Sequence, residues 1–158
     1  MSKENMLDYL ENSLITSFGD REFAIDWDVR EHRIEVLFRL FAENKKGNVI
    51  EDESGVQSEE AYIEFEDSLV FYSTDKKTPS KEDYLTIIPF DRKKGIEKGI
   101  IEAVTTYLND VLVDGEVDLL DFLTDESIES FELIWNEEDF NQVKKEYPNK
   151  TYVSYPKY

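Results

Sequence analysis

The chain has 158 residues and a net charge of −19, from 37 Asp and Glu against 18 Lys and Arg; 40% of it is hydrophobic and 13% aromatic. That length fits one domain burying about 68–70% of the surface its unfolded chain would expose, and the apolar content is too high for a disordered chain. With no cysteine, disulfide scaffolds, thiolate metal sites and cysteine nucleophiles are excluded.

No apolar run approaches the roughly 20 residues that span a bilayer. The opening MSKENMLDYLENSL lacks the basic-then-apolar layout of a secretion signal. A cytoplasmic location is expected. The acids cluster: residues 51–67 hold eight and no Lys or Arg, and residues 114–146 hold twelve against Lys144 and Lys145. Residues 76–98 lean positive, with seven Lys or Arg against four acids. Acidic surfaces repel nucleic-acid phosphates and anionic lipid, so neither direct nucleic-acid binding nor membrane binding is expected.

In chain order, residues 4–17 place Met6, Leu7, Leu10, Leu14 and Ile15 at helical spacing, and Gly19 is a natural stop. Phe23, Ile25 and Trp27 then alternate, as do Ile34, Val36, Phe38 and Leu40. The apolar faces match if Trp27 lies opposite Ile34, Ile25 opposite Val36 and Phe23 opposite Phe38. This register places Asp28 by Arg33 and Glu22 by Arg39, with one like-charge conflict, Asp26 by Glu35. Residues 43–58 read as a polar, partly mobile connection. Ala61, Ile63 and Phe65 alternate again, and Asp67-Ser68 is expected to turn the chain into LVFY.

YLTIIPF reads as a strand ended by Pro89, which cannot donate to a ladder. From about residue 95 a helix is predicted with Ile96, Ile100, Ile101, Val104, Leu108, Val111 and Leu112 as its stripe, ended by Asp114-Gly115. EVDLLDFL suggests a second short helix and Phe131, Leu133 and Trp135 a late strand. Asn136 with Asp139 predicts a cap for a short helix running to Tyr147. The fold class is a single α+β domain: a mostly antiparallel β-meander with helices packed on one face.

FAIDWD, FEDSLVFY, DYLTIIPFDRKKGI, LLDFL, FELIW and YPKY together resemble a family of small acidic proteins of Gram-positive Firmicutes, known only as a domain of unknown function. The resemblance runs along nearly the whole chain. It implies a bacterial cytoplasmic protein and carries over no catalytic residue.

Candidate sites are few. His32 is the single histidine, which leaves little for triads or histidine-rich metal sites. It is expected to be exposed in a hairpin loop. Asp26, Asp28 and Glu35 form a possible carboxylate group, read as a solvated strand face. Asp110–Asp121 partly imitates a calcium loop, but Leu112 stands where an oxygen ligand is required, so no metal and no cofactor are expected.

Arg92, Lys93, Lys94 and Lys98 gather near a predicted helix start, the wrong end of the dipole for cations. Internal charge matching to an acidic block is the favoured explanation; an anion held on the free amides is the other. Tyr152, Tyr155 and Tyr158 recur every three residues, so in a polyproline II strand all three would line one side. They read as a partner surface or as a tail packed back on the core. The expected function is non-enzymatic binding of a protein partner, a second copy included. The alternatives are a small-anion binder or enzyme using the basic cluster, and an acidic nucleic-acid mimic.

Overall fold

Asn5 fixes where the first helix begins. Its side chain accepts the Asp8 amide at 3.1 Å, and Asp8 Oδ2 accepts the Asn5 amide at 3.2 Å, a reciprocal cap. Helix α1, Met6–Phe18, follows, with Met6, Leu10, Leu14 and Phe18 buried along one stripe. Gly19, at φ +60, ends it as its amide donates to the Ile15 carbonyl at 3.2 Å. The structure is a computed structural model, and it describes residues 4–43, 50–51, 57–58, 62–125, 127–128 and 130–157.

Strands β1, Phe23–Asp28, and β2, Arg33–Glu43, form the first hairpin. Their register is the predicted one: Phe23 opposite Phe38, Ile25 opposite Val36, Trp27 opposite Ile34 and Asp28 opposite Arg33. The Asp26–Glu35 pairing is present too, on the face away from the core. Arg39 and Glu22 line one hollow at the end of this pairing, but the Arg39 ion pairs run the other way. Arg39 Nε reaches across the sheet to Glu64 at 3.2 Å and Glu66 at 3.3 Å. Short strands β3, Ile50–Glu51, and β4, Gln57–Ser58, pair antiparallel. The rest of the predicted polar connection lies outside the described residues.

Strand β5, Tyr62–Ser73, is continuous and pairs with β2 along its length. The expected turn at Asp67-Ser68 is absent. Asp67 continues the alternation of Ile63, Phe65, Leu69 and Phe71, so a carboxylate occupies a core-side position. The full-length ladder with β2 overrides the local turn signal. After β5 come β6, Ile87–Phe90, β7, Ile96–Glu97, helix α2, Lys98–Thr124, helix α3, Glu137–Lys145, and β8, Tyr152–Val153. The main sheet has the order β1-β2-β5-β6, antiparallel except for the parallel β5–β6 pair. Pro89 lies inside β6, where edge position lets it go without an amide.

Helix α2 does not stop at Asp114-Gly115 but runs on through EVDLLDFL. Gly115 serves packing: a Cβ there would come within 2.4 Å of Leu133 Cδ2 and 3.0 Å of Leu40 Cδ1. The predicted second helix is therefore its last turns. Phe131, Leu133 and Trp135 keep their alternating burial but form no ladder. They pack between helix and sheet instead: Phe131 meets Phe65 edge-on at 4.8 Å, and Trp135 meets Tyr107 edge-on at 4.7 Å. Asn136 caps α3 by accepting the Asp139 amide at 3.0 Å. The architecture is α+β, and no helix among the described residues is long and apolar enough to cross a membrane.

Burial pushes the Asp67 carboxyl up from its ordinary range, while the Ser68 amide, 2.8 Å away, pulls it partly back. A raised carboxyl binds more protons folded than unfolded. Stability therefore falls as pH rises from 3.8 through the folded value. Asp67→Asn keeps the Ser68 contact and removes the penalty. The variant is expected to gain under about 1 kcal/mol at pH 7, small because the group is half-buried and screened. In urea titrations the gain should vanish below pH 3.8; an advantage that persists there would contradict this account.

Candidate functional site

The β1–β2 turn begins with Asp28, whose Oδ1 accepts the amides of Arg30 and Glu31 at 3.1 Å each. His32 closes the turn at φ +52, a left-handed conformation unusual for a residue with a Cβ. That twist turns the imidazole inward, and His32 is only 6% exposed, against the expectation of an exposed loop histidine. Its carbonyl accepts the Ser73 amide at 3.1 Å, tying the turn to the end of β5.

Asp75 organises the polar side of this place. The Ser73 hydroxyl donates to it, His32 Nδ1 lies 3.6 Å from its Oδ1, and Arg92 Nε lies 3.1 Å from its Oδ2. Ser73 first, then His32 and Arg92, outweigh desolvation and hold the carboxyl below its ordinary range. Ser, His and Asp thus come together, but the Ser73 hydroxyl is fully buried and donates to Asp75. No nucleophile–base pair forms in this arrangement.

Tyr155 provides the apolar side. Only 8% exposed, it stacks on Phe90 at 5.3 Å and lies 5.5 Å from the His32 ring. Trp27 meets it edge-on at 5.9 Å, and the indole N–H donates to its hydroxyl at 2.6 Å. Above the cluster opens a hollow of about 400 Å³ lined by Arg92, Lys93, Ser154, Tyr155, Pro156 and Lys157. One anion-site candidate pair and one tail tyrosine, predicted as separate features, therefore share a surface.

The other predicted residues disperse. Arg92, Lys93 and Lys94 are exposed on a tight turn before β7, not on the helix. Asp91 Oδ1 accepts the Lys93 and Lys94 amides at 2.8 and 2.9 Å, and these bonds hold its carboxyl below the usual range. Gly95, at φ +86, closes the turn, and a Cβ there would lie 1.8 Å from the Val153 carbonyl oxygen. Lys98 alone stands on the first turn of α2. Its ammonium lies 3.6 Å from Glu4 and 5.0 Å from the centre of the Tyr9 ring. The Lys98 and Gly99 amides donate to the carbonyls of Thr151 and Asn149, both at 2.8 Å.

Tyr152 and Tyr155 do not share a face. β8 pairs Val153 with Ile96, which sends Val153 inward and leaves Tyr152 half exposed. Tyr158 lies outside the described residues. Asp110–Asp121 is continuous helix, so its carboxylates follow the helical surface instead of wrapping a loop. His32 is the residue that sequence reasoning misplaced. Its signal was the Asp28 turn, which forces a sharp reversal, but the partners Asp75 and Tyr155 lie 43 and 123 positions further on.

Fold and site define a small acidic α+β protein with a buried aromatic–imidazole cluster under a basic hollow. The chain belongs to the family described as Protein of unknown function (DUF3013), whose model matches residues 1–157. A solved structure described as a conserved protein of unknown function from Enterococcus faecalis is similar: 41% identical, covering 99% of this chain and 98% of that one, with a TM-score of 0.89. No curated protein matches the chain.

The burial of Tyr155 makes the C-terminal segment part of the core. Tyr155→Ala is expected to cost about 3–5 kcal/mol in a urea titration, as for other large aromatic truncations. A loss below about 0.5 kcal/mol, the range of ordinary surface substitutions, would mean that the tail is not docked.

Proposed function

We propose that the protein acts by binding, without a cofactor, and that its partner is another protein presenting an acidic segment to the hollow of Arg92, Lys93, Tyr155 and Lys157. The carrying observation is the convergence of those three cations on one surface of a chain with net charge −19. At physiological salt the Debye length is about 8 Å, so an incoming segment responds to the local cations more than to the distant acids. Arg is also among the residue types enriched at protein interfaces.

Two features favour a protein over a small anion. The hollow is shallow and open. The helix amides that would grip a phosphate already donate to Asn149 and Thr151. A symmetric contact of two copies through this surface is disfavoured because it would bring the same three cations face to face. The reading places the action in the bacterial cytoplasm.

The test compares the wild type with an Arg92→Glu, Lys93→Glu, Lys157→Glu variant, after both are shown to melt cooperatively. Crosslinking in native extract followed by mass spectrometry should map an acidic segment of one protein onto the hollow. The variant should bind that purified protein at least about tenfold more weakly, consistent with losing charge-assisted contacts. Added salt should weaken the wild-type complex. Equal capture by both proteins would defeat the reading. A saturable rise in wild-type melting temperature with phosphate or a nucleotide at constant ionic strength would replace it with small-anion binding.

A further inference from the structure

A seam between two packed helices is ordinarily apolar. Between α1 and α2 it opens into a groove of about 340 Å³ with polar walls. Ser13, Thr16 and Ser17 line it from α1, and Glu102, Thr105 and Thr106 from α2; no Lys or Arg does. We propose that this groove binds a small organic cation with N–H donors, of the primary-amine or amino-sugar class.

Hydrogen-bond direction carries the argument. Thr16 donates to the Asn12 carbonyl at 3.0 Å and Thr105 to the Glu102 carbonyl at 3.1 Å. Ser17 donates to Thr105 Oγ1 at 3.4 Å and Thr106 to the Tyr147 hydroxyl at 3.2 Å. Four hydroxyl protons are thus spent inside the protein, and what remains for a ligand is mostly lone pairs. Glu102 adds a carboxylate to the wall, within hydrogen-bond reach of the Tyr9 hydroxyl. A ligand ammonium would share that carboxylate through a charge-assisted hydrogen bond.

Charge points the same way. Burial, then the carboxylates of Glu102 and Glu4, push the Tyr9 hydroxyl up from its ordinary value, so Tyr9 stays neutral beside the groove. The rings of Tyr9 and Tyr147 complete the lining, and such faces attract ammonium groups. The Lys98 ammonium already occupies the Tyr9 ring, 5.0 Å from its centre, which leaves Tyr147 as the ring for a ligand cation. An anion would meet Glu102 within a strongly acidic molecule. A neutral polyol would match the lone pairs and leave the carboxylate charge unanswered.

Calorimetry at constant ionic strength tests this with putrescine, glucosamine, glucose and tetramethylammonium as probes. Putrescine or glucosamine should bind saturably at one site. Glu102→Gln and Thr106→Val should each weaken that binding by about tenfold, the scale of one lost charge-assisted hydrogen bond. Asp139→Asn, an acid on α3 outside this groove, should leave it unchanged, and cooperative melting of each variant verifies folding. Tetramethylammonium has no N–H and should bind far more weakly. Equal binding of tetramethylammonium would reduce the effect to bulk charge, and equal binding of glucose would make the groove a neutral polyol site. Absence of saturable amine binding, or binding that survives Glu102→Gln undiminished, would overturn the proposal.

Discussion

The start of α2 depends on backbone from far along the chain. Glu97 supplies no side-chain cap there, and the Lys98 and Gly99 amides are taken by the carbonyls of Thr151 and Asn149. A helix begins with unsatisfied donors, and here a peptide segment meets two of them. The same segment pairs Val153 with Ile96, accepts the Met6 amide through Ser154 at 2.9 Å and lays Tyr155 against Phe90 and Trp27. Gly95 and Gly99 are small because that segment passes so close: a Cβ on Gly99 would lie 2.2 Å from the Tyr147 carbonyl oxygen. These contacts also explain how cations are tolerated near a helix start. Three of the four stand on the preceding turn, and the fourth leans toward Glu4.

The first hairpin was legible to the residue because each strand alternates cleanly and a one-residue slip would have inverted both faces. The helix caps at Asn136 and Gly19 were legible for a similar reason, since each is a local hydrogen-bond pattern. Errors arose where one letter has two uses. Gly115 reads as a helix end, yet it admits Leu133 and Leu40 against the helix. The alternation of Phe131, Leu133 and Trp135 reports one buried side and says nothing about a ladder partner. Asp67 reads as a turn because a core-side carboxylate breaks the apolar pattern.

The candidate site was less legible, because its members come from the β1–β2 turn, the end of β5, the turn after β6 and the C-terminal segment. Arg92 and Tyr155 were singled out for separate reasons, and nothing in their spacing joins them. The three-residue recurrence of tyrosines suggested one shared side, but pairing in β8 imposes period two at its start, separating Tyr152 from Tyr155. The basic strip does not face the two acid-rich segments in the ion pairs described. Arg92 meets Asp75 and Lys98 meets Glu4, both outside those segments.

The backbone bonds around residues 149–154 join three distant stretches of chain into one cooperative opening unit. The amides of Met6 in α1 and of Lys98 and Gly99 in α2 belong to two helices, yet all lose their acceptors when this segment lifts. Such amides exchange with solvent through a shared opening instead of separate frayings. Closure of these long-range contacts also raises the contact order of the fold, a property that goes with slower folding.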